Sequence, residues 1–77
     1  MNDHGFLASK LASALIFLEG QECEINRNTF EISELIGLAP ELTIQLLNDL
    51  EQKEKIQVLG RAINISDRPG LLRIALN

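Results

Sequence analysis

Apolar residues recur at helical spacing from the start of the chain. Leu7, Leu11, Ala14, Leu15 and Leu18 fall on one face, with Ser9, Lys10 and Ser13 elsewhere on the wheel. This spacing predicts a helix over about residues 5–18, with Asn2 and Asp3 as caps and Gly20 as its end. Ile16 and Phe17 widen the apolar arc, which implies cover on a second side, from the rest of the domain or from a second subunit. Residues 21–27 are polar and acidic with one apolar anchor, Ile25, and a short strand around Glu24 and Ile25 is the most they suggest.

From Asn28 the pattern tightens. Asn28 is a favourable N-cap and Glu31 stands three residues on, the spacing of a capping box. Ile32, Leu35 and Ile36 then mark one face of a short helix that Gly37 ends, and Pro40 suits the first turn of the next helix. Thr43, Leu46, Leu47 and Leu50 form the buried stripe of that second helix. Two short helices joined through a glycine turn are a helix-turn-helix, here over about residues 28–55. Beyond it Ile56 and Val58 alternate, then Ile63 and Ile65, around Gly60-Arg61, which predicts a β-hairpin over about residues 56–65. Asp67 caps a final helix over about residues 67–76, with Pro69 in its first turn and Leu71, Leu72 and Leu76 as apolar positions. The expected fold is mainly α with a small β-hairpin wing, a winged helix-turn-helix forming a single domain over residues 1–77.

Composition narrows the chemistry. Apolar residues make up 45% of the 77, enough for a core, but aromatics only 4%, so that core is expected to be leucine and isoleucine. The lone Cys23 forms no intramolecular disulfide, and its flanking glutamates disfavour a thiolate. His4 stands alone and receives no role. There is no paired nucleophile and base, no phosphate-cradling glycine loop and no zinc spacing, so no enzyme, cofactor or metal is expected. No apolar run approaches the roughly 18 residues of a membrane span. The N-terminus does not read as a signal peptide, and the expected location is cytoplasmic.

The order of these elements carries a resemblance. Glu31-Ile-Ser-Glu-Leu-Ile-Gly37, Leu47-Asn-Asp-Leu50-Glu51, and the stretch Ile56 to Ala75 with its Asp67-Arg-Pro-Gly70-Leu71 are similar to the C-terminal DNA-binding domain of the Crp/Fnr transcription regulators. That family's sensor domain and iron–sulfur cysteines are not in these residues. The resemblance implies a winged helix that binds double-stranded DNA as a homodimer, its second motif helix in the major groove. The family commonly opens that helix with Ser-Arg-Glu-Thr-Val and adds a second Arg four residues after the Glu. Aligned on Gly37 and Glu41, this chain has Ala39 for the Ser, Pro40 for the Arg, Leu42 for the Thr and Gln45 for the second Arg. Glu41 alone carries over, as a group able to accept from a cytosine amino group.

Two functions follow from this departure. For a DNA reader, the base-contacting residues are Glu41, Gln45 and Asn48, and the phosphate contacts are Arg27, Thr29, Lys55 and Arg61, with Lys53 a further candidate. Each basic residue is equally an ordinary solvated charge, and Lys53 is spaced to pair with Asp49. The net charge of −4 weighs against DNA. So does residues 39–55, where four acids (Glu41, Asp49, Glu51, Glu54) face two bases (Lys53, Lys55), a net of −2. The alternative is a degenerate winged helix serving as a protein-interaction or dimerisation module, with Leu42 and Ile44 as its contacts. A positive strip joining Arg27, Lys55 and Arg61 would favour DNA. A negative or apolar recognition face would favour a protein partner.

Overall fold

A computed structural model of the chain describes residues 3–22 and 24–76, with side chains from Phe6 onward. The cap read at Asn2, the thiol of Cys23 and the side chains of Asp3 and His4 lie outside the described residues. Four helices and one hairpin are described: α1 (Asp3–Glu22), α2 (Thr29–Ile36), α3 (Pro40–Gln52), β1 (Ile56–Leu59), β2 (Ala62–Ile65) and α4 (Arg68–Leu76). Residues 28–55 form the helix-turn-helix, and the hairpin follows as its wing.

The local signals that place α2 and α3 are all present. The Asn28 side chain accepts the Glu31 N–H at 2.8 Å, and the Glu31 carboxylate accepts the Asn28 N–H at 3.1 Å. Both members of the capping box are therefore satisfied. Asn28→Ala is expected to cost about 1 kcal/mol of stability, read as a lowered urea midpoint. No measurable loss would mean that the α2 start is held by packing alone. Gly37 ends the helix at φ 72°, in the left-handed region. Pro40 opens α3, and the buried Thr43 hydroxyl donates to the Ala39 carbonyl at 3.1 Å.

The core is aliphatic, as its composition predicts. Leu11, Leu15 and Leu18 of α1 meet Ile32 and Ile36 of α2, Leu46, Leu47 and Leu50 of α3, and Leu71 of α4. Ile25, Ile56 and Ile63 close it from the hairpin side. All three phenylalanines are exposed.

The structure corrects the sequence reading at several positions. Helix α1 runs through Gly20 to Glu22 instead of ending near Leu18. Gly20 has no positive φ, so it costs helix propensity without breaking the helix. Phe17 is exposed and only Ile16 widens the buried arc, on the side of α1 where Ser9 and Glu19 contact α4. On α2, Leu35 is exposed and Ser33 takes its place in the core, its hydroxyl donating to the Phe30 carbonyl at 2.9 Å. On α4, Leu72 and Leu76 are exposed, while Ile74 and Ala75 pack beside Leu71 at the i, i+3, i+4 spacing.

The wing turns at Gly60-Arg61 as predicted, a two-residue loop that sets Ile56 opposite Ile65 and Leu59 opposite Ala62. Gly60 has φ 60° and Arg61 does not have a positive φ, as a type II′ turn uses. Each border of this two-stranded sheet has one outward amide already bonded. The Ile63 N–H donates to the Ile25 carbonyl at 2.9 Å, so the weakly signalled strand at Ile25 is a single antiparallel bridge. On the other border, the Val58 N–H donates to the Glu51 carboxylate at 3.2 Å, which ties β1 to the last turn of α3.

Candidate nucleic-acid interface

Burying Thr43, Leu46, Leu47 and Leu50 turns the opposite side of α3 outward. Glu41, Gln45 and Asn48 lie there at i, i+4 and i+7, all exposed. Gln52 extends the stripe by another turn and is also exposed. Sequence reasoning missed Gln52, although its spacing from Asn48 and Gln45 signals it. The outer face is thus a row of amides with one carboxylate at its N-terminal end. Ile44 flanks the row and is 46% exposed, whereas Leu42 packs partly against the core. The two apolar candidates therefore differ: only Ile44 is offered to a partner.

The acids of α3 are partly committed to internal contacts. Asp49 pairs with Lys53 at 3.0 Å, the i, i+4 pair expected from spacing, and Glu51 holds the Val58 N–H. Glu41 sits in the first turn, where a negative charge suits the helix dipole.

The candidate phosphate contacts divide sharply. Arg27 is paired with Glu22 across the gap between α1 and α2. The side-chain hydrogen bond from Arg27 holds the Glu22 carboxyl below its usual range. Lys55 is half-buried, with its Nζ 3.0 Å from Asp67 Oδ2. Asp67 Oδ1 also accepts the Gly70 N–H at 3.1 Å. That backbone bond, and then the one from Lys55, hold the Asp67 carboxyl below its ordinary value. A Cβ on Gly70 would run into the Asp67 carboxylate and the Lys55 ammonium, so the spacing from Asp67 to Gly70 is itself a packing requirement. Thr29 stands half-exposed at the first position of α2. Arg61 is exposed at the wing tip and has no ion pair among the described residues.

No uninterrupted positive strip therefore joins Arg27, Lys55 and Arg61. The recognition face is neither acidic nor apolar as a whole. These neutralising partners lie five and twelve residues away in sequence, and no local pattern announces them.

The Crp-like helix-turn-helix domain matches residues 9–74. The chain belongs to this family. Among solved structures, the catabolite activator protein of Thermus thermophilus superposes with a TM-score of 0.87 at 18% sequence identity. The match covers 96% of this chain but only 36% of that protein. At this identity the likeness is one of fold: the Crp-like winged helix-turn-helix, with α2 and α3 as the motif and β1–β2 as the wing. No curated protein sequence matches the chain. Among the described residues, no helix of this Crp-like domain is long and apolar enough to cross a membrane.

Proposed function

We propose that this Crp-like domain binds double-stranded DNA as part of a transcription regulator, with α3 in the major groove and Arg61 on a phosphate beside it. The observation that carries the reading is the outward row of Glu41, Gln45 and Asn48 on a helix whose other side is locked into the core. Gln and Asn side chains can pair bidentately with adenine, and a carboxylate can accept from cytosine. Family membership supports the reading, since the regulator resemblance and the Crp-like match cover the same elements.

Charge sets how tightly such a domain binds. Lysines and arginines on phosphates supply essentially all of non-specific affinity. Arg27, Lys53 and Lys55 must each leave a carboxylate to reach a phosphate, whereas Arg61 need not. One copy is therefore a weak binder, and two copies on half-sites about 34 Å apart recover affinity by doubling the contacts. The proposal accordingly includes action as a homodimer.

The test is fluorescence anisotropy of a labelled duplex titrated at several salt concentrations. Binding should weaken with salt, and Arg61→Ala should weaken it for all sequences alike and reduce the log–log salt slope by about 1. No binding at low salt, at protein concentrations of roughly 100 μM, overturns the proposal. The second reading then stands: α3 as a protein-binding face with Ile44 as its apolar contact, favoured by the exposure of that side chain.

A further inference from the structure

The wing leaves α3 through a tightly made turn. The Lys55 N–H donates to the Leu50 carbonyl at 3.0 Å, and Glu54 turns the chain at φ 61°, in the left-handed region, without being glycine. The Lys55 carbonyl then accepts the N–H groups of Ser66 and Asp67 at 2.9 and 3.1 Å, which closes the hairpin at its base. Ile56 and Ile63 anchor it in the core. Above Ile56 the first strand and the turn, Gln57 to Arg61, are exposed throughout. A two-stranded ribbon of this length is marginal by itself and twists readily.

Two hydrogen bonds at one level steady it. Val58 stands opposite Ile63. The Ile63 N–H points outward to the Ile25 carbonyl, and the Val58 N–H points outward to the Glu51 carboxylate. The second is the one hydrogen bond between α3 and the wing strands among the described residues. Glu51 is free to make it. Lys55 lies one helical turn on and Lys53 two residues on, yet Lys55 pairs with Asp67 and Lys53 with Asp49. Glu51 itself has no ion pair among the described residues. A charged acceptor makes the stronger kind of hydrogen bond. Gly60, at the wing tip, is two residues beyond Val58, about 7 Å of strand past the tie.

We infer that Glu51 is a positioning residue for DNA binding: its carboxylate sets the angle between wing and α3, and so where Arg61 meets a phosphate relative to Glu41, Gln45 and Asn48. The inference rests on the DNA reading proposed above. Phosphate contacts fix a protein's register on the duplex, and a contact carried by a loose wing loses affinity to the ordering of that wing. The sign of the effect separates this role from plain electrostatics. An acid near the recognition helix repels phosphate, so on charge alone its removal tightens binding. Removal of a positioning residue weakens it.

The experiment is the salt-dependent anisotropy titration on the full chain and four variants: Glu51→Ala, Glu51→Gln, Arg61→Ala and the double variant Glu51→Ala with Arg61→Ala. Glu51→Ala should bind roughly 2- to 10-fold more weakly than the parent. Its log–log salt slope should be shallower although no cation has been removed. Glu51→Gln loses the charge but keeps an oxygen that accepts the Val58 N–H, and should restore parent-level binding. The double variant should bind no more weakly than Arg61→Ala alone, because Glu51 acts through Arg61. In the free chain, Glu51→Ala should speed hydrogen exchange at the Val58 amide and leave the Leu50 amide unchanged. The inference is overturned, with the DNA reading left standing, by any of four results. These are equal or tighter binding by Glu51→Ala, a Glu51→Gln chain as weak as Glu51→Ala, a double variant weaker than Arg61→Ala, or unchanged exchange at Val58. A parent chain that binds no duplex at low salt overturns the DNA reading and this role with it.

Discussion

Leu50→Ala is expected to remove roughly 2–5 kcal/mol of stability. Leu50 is fully buried where α3 meets the rest of the core, and its carbonyl accepts the Lys55 N–H at 3.0 Å as the chain leaves the helix. A domain of this length holds only about 4–12 kcal/mol in total, at roughly 0.05–0.15 kcal/mol per residue. The loss is therefore a large share of what keeps the recognition helix seated. Urea unfolding followed by far-UV circular dichroism should show a lowered midpoint with little change in slope. Ile44→Ala on the same helix is the internal reference: an exposed position should change stability by about 0.5 kcal/mol or less. Equal effects at the two positions would mean that α3 is rotated from the orientation described.

Gln45→Ala should act on sequence preference instead of stability. Gln45 stands in the middle of the outward row of α3 and carries no charge, so its loss takes no phosphate contact away. A bidentate amide–adenine pair is worth about 1–3 kcal/mol of discrimination. Selection from a duplex library randomised over one half-site should show one position where the parent chain enriches adenine and the variant does not. Affinity for unselected duplex should stay nearly level, the reverse of the pattern expected for Arg61→Ala. If both chains select the same bases, Gln45 is not a reader and the specificity rests with Asn48 or Glu41.

Much of this architecture was legible because its punctuation is local. Asn28 and Glu31, Gly37, Pro40, Gly60 and Asp67 each act within a few residues, and each marks a boundary the structure keeps. What a residue faces across space was less legible. A wheel cannot say that α4 covers Ile16 and leaves Phe17 bare, or that a serine with its own hydrogen bond enters the core in place of Leu35. The candidate site divides in the same way. The outward row of α3 follows from helical spacing alone. The neutralisation of Arg27 by Glu22 and of Lys55 by Asp67 depends on how separate segments meet. The Glu51–Val58 contact is of that second kind too, a carboxylate seven residues from the N–H it holds.

That contact has a consequence for crowding. A regulator on tandem sites is packed at high local concentration, and a hairpin carrying half-exposed Val58 and exposed Leu59 is the sort of segment that zips onto its neighbour strand by strand. Here one outward amide on each border is already taken. Ile25 occupies the outward amide of Ile63, and the Glu51 carboxylate sits over that of Val58 and presents a negative charge to any approaching backbone. The residue that fixes the wing to α3 thus also takes one of the amides through which a neighbouring strand would add.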